Sequence, residues 1–484
     1  MKKGLFAKKS IGSLLKEAAD NKHGLKRALG PLNLTAMGIG AIIGAGLFVL
    51  TGEVAAKFSG PAVVLSFVIA AMIAGFAALC YAEFASLIPI AGSAYTYAFV
   101  AIGELFAWII GVAMTIQYLF SFSTVAVAWS GYFNSLLDDL KIAIPDMLAK
   151  APLIYTDGGW ETSGALFNLP AICILALITW LVVRGIQTAA FLNDMLVVVK
   201  LAVVILFVGF GIAFINGEHL TPFIPENTGV FGEFGWSGVF RGSGVLFFAF
   251  LGFDAVATLA QEAKNPQRDM PIGMIAPLVI CTIVYIACGL VMTSVANYKT
   301  LGVADPVGVA VNAFGPKFLW LRYIVKLGII AGLSSVILVM MTAQARIFYA
   351  MSKDGLLPKI FGKTHPKYRT PFYGTLIISL ASLVLAGFFP VDILGQLTSM
   401  GALFVFGMVC FGVLILRFTQ PTLHRPFKTP FTPWVPLIGT LACFFQMFIM
   451  PGITWLQMII LMGLGCGFYF IYGRHHSKIR HGQR

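Results

Sequence analysis

Most of this chain is a succession of apolar runs long enough to cross a bilayer, and that limits what it can fold into. A helix needs roughly 20 apolar residues to span the hydrocarbon, and about twelve such runs are present. They start near residues 33, 61, 96, 166, 190, 237, 274, 324, 373, 396, 435 and 455. Each is continuous rather than alternating at period two, which argues against a β-barrel. Only 11% of the 484 residues are charged, against roughly a quarter in soluble domains. The sequence therefore predicts an all-α membrane protein of about twelve transmembrane helices with no separate soluble module.

Two runs are interrupted by glycine where a membrane helix should be most regular. The first reads Gly38-Ile39-Gly40-Ala41-Ile42-Ile43-Gly44-Ala45-Gly46-Leu47-Phe48. The sixth carries Arg241-Gly242-Ser243-Gly244 and then Phe248-Ala249-Phe250-Leu251-Gly252-Phe253-Asp254. In lipid, unwound backbone survives only where it lines a cavity or is buried in protein. Taken alone, the first stretch fits close helix packing equally well, because Gly40 and Gly44 form a GxxxG face. The interruptions lie five runs apart, however, and an odd offset makes the two broken helices antiparallel. Such a pair marks a five-plus-five inverted repeat with a binding site at its centre. The expected division is an N-terminal arm (1–30), a first repeat (31–215), a second repeat (236–418), two peripheral helices (434–473) and a tail (474–484).

The net charge of +13 is explained by topology. Lysine and arginine crowd the arm, the tail and the loops 353–369 and 417–428, whereas loops 138–164 and 216–235 are poor in them and carry several acids. An even number of spans puts all the basic segments on one side, which the positive-inside rule makes cytoplasmic. The expected location is the cytoplasmic membrane with both termini inside, and no nucleic acid partner is implied. The arm has an amphipathic stretch at 11–19 but no cleavable apolar core.

Lys200 is the charge hardest to explain structurally. It lies about ten residues from either end of the fifth run, hence about 15 Å deep. A charged residue there is by default functional and faces the bundle interior. It is either a cation fixed on backbone carbonyls or a group that exchanges a proton, and the second is favoured. Asp254 closes the sixth run's break as a cap or a gate. Glu83 and Glu104 lie near helix ends and read as gating or structural residues. Gln117, in the third run, faces the pore or bonds across helices. Arg322 and Lys326, near the outer end of the eighth run, are expected to snorkel.

Enzymatic alternatives find little support. All seven histidines lie in loops or tails, and no HExxH occurs. The seven cysteines sit in apolar runs without CxxC spacing, as small packing residues. Ile43 stands where a dinucleotide fingerprint would need its third glycine, and no phosphate loop is present. No cofactor, no metal and no catalytic residue is expected.

Residues 38–48, Tyr81-Ala82-Glu83-Phe84-Ala85, 247–254, 265–273 and 352–358 together resemble the amino acid–polyamine–organocation (APC) permeases, most closely the bacterial branch similar to cationic amino acid transporters. The similarity covers nearly the whole chain. The resemblance implies a LeuT-like fold with alternating access. It implies a substrate carboxylate on amides near Ile42, Ile43, Gly44, Ala45 and Gly46, and an amine on carbonyls near Phe248, Ala249 and Leu251. Helix N-terminal amides suit the anion and C-terminal carbonyls the cation. Lys200 is similar to a lysine that replaces a sodium ion, Phe248 to an aromatic gate, and Met340 to a side-chain-pocket residue. Ala45 stands where relatives often carry Thr or Ser, and Ala113 and Gln117 where close relatives often carry acids. That leaves little negative charge for a cationic side chain.

The expected function is a secondary active amino acid permease, proton-coupled and sodium-independent, with a neutral substrate favoured over a cationic one. An amino acid exchanger and a transporter-shaped sensor are the alternatives. The partners expected are a small-molecule amino acid, protons and the bilayer, with a small membrane partner left open.

Overall fold

A computed structural model describes residues 4–481 apart from 13, 15–28, 91, 157–158, 185 and 367–369. The amphipathic stretch at 11–19 thus lies largely outside the described residues. Among the described residues, eight segments are long and apolar enough to cross a membrane, and four shorter apolar helices accompany them. Their exterior is apolar: Ile205, Ile283, Leu380 and Leu464 are each 64–68% exposed. In water such a surface would aggregate, whereas in a bilayer lipid covers it.

The first run is short. Helix α1 (Pro31–Ile42) stops at Ile43, whose backbone is extended, and the chain resumes as a π-helical turn over Gly46–Leu50 followed by α2 (Thr51–Val54). It reverses through Gly60-Pro61-Ala62 into α3 (Val63–Leu87). A short α4 (Ser93–Ala101) precedes the long α5 (Glu104–Asp139). A two-stranded antiparallel hairpin, β1 (Leu153–Thr156) and β2 (Gly159–Thr162), pairs Leu153 with Thr162. Then come α6 (Leu169–Arg184) and α7 (Ile186–Gly211).

The sixth run repeats the break. Helix α8 (Gly235–Leu246) gives way to a 3-10 turn over Phe247–Phe250, Leu251 is extended, and α9 (Phe253–Ala257) follows. Beyond it lie α10 (Pro266–Val295), the short α11 (Pro306–Asn312), α12 (Leu319–Lys353), α13 (Phe372–Phe388) and α14 (Val391–Thr419). Helices α15 (Trp434–Phe448) and α16 (Gly452–Phe468) follow, with α15 packed on α14 and α3.

Neighbours follow a five-run offset. Helix α1 packs on α10 as α8 packs on α3, and α5 packs on α14 as α12 packs on α7. Three pairs, α3 with α10, α5 with α12 and α6 with α13, are each a run and its own counterpart. A short helix precedes the long one in both halves, α4 before α5 and α11 before α12. This is the pairing an inverted repeat dictates. The termini meet on one face, where Lys9 Nζ binds Asp354 at 2.6 Å and the amide of Lys478 donates to the Asp354 carbonyl. The hairpin lies at the opposite end of α5, so the two faces are named terminal and hairpin below.

Candidate functional site

The two breaks touch. A methyl on Gly46 would overlap the backbone of Ala249, so only glycine lets the π-helical turn press on the 3-10 turn. Gly252 has φ +124°, and a Cβ there would sit 2.7 Å from the carbonyl carbon of Ala41. Both positions demand glycine for physical reasons, a close approach and a left-handed backbone. The breaks therefore form one buried centre.

Of the expected substrate amides, that of Ile43 donates to the Ile39 carbonyl. Those of Gly44, Ala45 and Gly46 begin a helical segment, where N–H groups have no intrahelical acceptor. The Ile42 carbonyl is taken by the hydroxyl of Tyr285 in α10, 2.8 Å away, and the same hydroxyl lies 2.8 Å from the Ala249 carbonyl. One hydroxyl hydrogen thus bridges both breaks. The Phe248 carbonyl accepts from the Leu251 amide. Phe247, Phe250 and Phe253 are held in ring pairs with Phe406, Tyr285 and Tyr81, whereas Phe248 is in none among the described residues. Val336 of α12 lies against Gly44, and Met340 is one turn further along that helix.

Lys200 is fully buried, and its Nζ donates to the carbonyls of Gly40 and Ile43 (the latter at 3.1 Å) and to Ser335 Oγ at 3.1 Å. Ser335 in turn donates to the Gly332 carbonyl at 2.8 Å. The ammonium is thereby docked on the carbonyls freed by the end of α1. Asp254 is also fully buried. Its Oδ1 accepts from the Gly252 amide at 3.1 Å, and its Oδ2 from Gln117 Nε2 at 2.9 Å and the Tyr118 hydroxyl at 2.8 Å. It caps the second break and ties it to α5, so Gln117 and Asp254 are brought together.

Glu83 lies away from this centre. It forms a buried clamp, binding Arg417 at 2.7 Å, Arg425 at 3.0 Å and the Thr429 amide at 2.8 Å. Glu104 accepts from the hydroxyls of Tyr469 and Ser477 and so holds the C-terminal segment against α5.

Each face carries its own ion pairs. On the hairpin face Lys326 is fully buried and binds Asp139 at 2.6 Å and Asp305 at 3.0 Å, with Arg322 also on Asp139. This corrects the expectation that Lys326 snorkels: two carboxylates and Ser135 Oγ at 2.7 Å satisfy it inside the protein. On the terminal face Glu262 and Arg346 pair at 2.9 Å. Leu29 pairs there by backbone with Glu262 and Lys264, at 3.0 and 2.9 Å. Tyr285, Ser335, Tyr118 and the Glu262–Arg346 pair escaped the sequence reading. A tyrosine in mid-run was the one available signal, since a buried hydroxyl needs a partner.

An all-α bundle of membrane-spanning helices, with paired broken helices at its centre and ion pairs on both faces, defines a membrane permease fold. Sequence comparison bears on which permeases these are. The amino acid permease family profile matches residues 29–468. The methylthioribose transporter of Bacillus subtilis is 41% identical over 475 residues, covering 98% of this chain and 99% of the relative. The branched-chain amino acid permease BcaP of the same organism is 40% identical over 480 residues, 99% of this chain and all of the relative. Human cationic amino acid transporter 4 is 34% identical over 433 residues, 86% of this chain and 65% of the relative. The chain belongs to the amino acid permease family of the APC superfamily.

Proposed function

We propose that the chain is a secondary active transporter of the cytoplasmic membrane that takes up a neutral amino acid with an apolar side chain, driven by protons and independent of sodium. The terminal face is cytoplasmic in this scheme, as the positive-inside rule requires. The amides of Gly44, Ala45 and Gly46 hold the carboxylate, and the carbonyl end of α8 at Phe248, Ala249 and Leu251 holds the ammonium. Phe248 covers the substrate, and Met340 with Val336 lines its side chain. The observation that carries the coupling is the docking of Lys200 on Gly40 and Ile43. A built-in cation there occupies the place of a bound metal cation, and loss of its proton leaves two N–H groups for three acceptors, which weakens its hold on the end of α1. Substrate and proton then bias the same element, which is what coupling requires.

Neutrality of the substrate rests on the surroundings. Ala45, Ala113 and Gln117 bring no charge, and Asp254 is fully engaged by its three donors. A second proposal follows from the relative named for methylthioribose, which is as similar as BcaP. That ligand is a neutral thioether sugar with neither carboxylate nor ammonium. Thermal stabilisation of the purified protein by isoleucine, leucine, valine, methionine and methylthioribose separates the two, because a ligand of the folded state raises the melting temperature. Stabilisation by branched-chain amino acids is expected. Stabilisation by methylthioribose alone contradicts the first proposal.

A further inference from the structure

Between the breaks and the terminal face lies a cavity of about 90 Å³ that the central site does not use. Met37, Ala41, Val256 and Leu338 give it apolar walls, and Glu262 and Arg346 stand at its edge. Asn193 of α7 also lines it. That side chain is 1% exposed, and neither its amide nitrogen nor its oxygen has a hydrogen-bond partner. It lies beside Gly40, the residue whose carbonyl holds Lys200. Buried amides are almost always paired, and leaving both ends of one unpaired is costly. Such a group is suited to a transient ligand that is polar at both ends.

We propose that this cavity is a second, exit-side subsite for a zwitterionic amino acid. The substrate carboxylate takes the place of Glu262 on Arg346, its ammonium takes the place of Arg346 on Glu262, and Asn193 receives the head group as it leaves the break. Parting a largely buried ion pair leaves two uncompensated charges. A zwitterion carries both countercharges, so the exchange keeps every charge paired while the gate opens. Arginine's planar fork is the group best matched to a carboxylate here.

This inference rests on the proposal that an amino acid leaves by the terminal face. Membrane vesicles of both orientations, right-side-out and inverted, report the KM for radiolabelled isoleucine on each face, with methylthioribose measured in parallel. The variants are the Glu262→Gln, Arg346→Gln double variant and, separately, Asn193→Leu. Expected is a rise in cytoplasmic-face KM of about tenfold or more, the loss of one charge-assisted hydrogen bond, with the opposite-face KM moving less than about twofold. A cytoplasmic-face KM unchanged or lowered in the double variant makes the pair a mere latch and overturns the subsite. If that variant does not reach the membrane, an unchanged cytoplasmic-face KM in Asn193→Leu overturns it instead. Wild-type vesicles that carry methylthioribose and no isoleucine overturn both proposals, since a neutral sugar has no charges to exchange.

Discussion

Tyr285 holds the two breaks together with one hydroxyl hydrogen shared between the Ile42 and Ala249 carbonyls. Replacing it with Phe leaves both without that partner in the centre of the bundle. A buried group left unsatisfied costs ~1–3 kcal/mol, so Tyr285→Phe should lower the melting temperature in detergent without changing expression. An unchanged melting temperature would show that the bridge contributes nothing. Gly46→Ala is expected to be harsher, because the added methyl overlaps the Ala249 backbone and backbone cannot yield as a side-chain tip does. Loss of the folded, monodisperse protein by size-exclusion chromatography checks it. At this scale the sequence was uneven. Lys200 stood out because a charge in an apolar run has no cheap explanation, and the glycines because they sit where a helix should be regular. Tyr285 and Ser335 went unread: a tyrosine in mid-run signals only that its buried hydroxyl needs a partner, and tertiary packing alone shows what either residue bonds.

The broken helices and their offset were legible at the scale of elements because glycine punctuates them and length counts the runs. The closures were not, because each joins residues far apart in the chain. Lys326 shows why: from sequence, its position near a helix end permitted snorkelling, while the acids that bury it come from α5 and from the residue just before α11. Removing one partner of a buried ion pair is costly because the other is left uncompensated. Lys326→Met should therefore loosen the hairpin face. In a background whose sole cysteine is Cys288, buried beneath that face beside Phe48 and Val307, labelling by an impermeant maleimide should accelerate several-fold. Equal labelling rates would mean that the cluster does not close this face. The Glu83 clamp yields a companion expectation. Glu83→Ala strands the buried Arg425, and a loss of ~3–5 kcal/mol is typical of an uncompensated buried charge, read as a fall in melting temperature.

For the whole molecule, the proposed scheme makes the amide–carbonyl centre, the lysine on its carbonyls and the ion pairs on either face one coupled device. Both repeats contribute a break, so a shift of one bundle against the other alters the site and the closures together. The proton enters this scheme through Lys200 alone, which makes that residue the central claim. The most direct measurement is isoleucine uptake by proteoliposomes under an imposed pH gradient, acid outside and without sodium, for the wild type and Lys200→Met. The wild type should accumulate substrate above equilibrium, and the variant should bind and exchange it but lose the gradient-driven accumulation. Accumulation in Lys200→Met equal to the wild type would contradict the account, leaving Lys200 a fixed cation and the proton to another route.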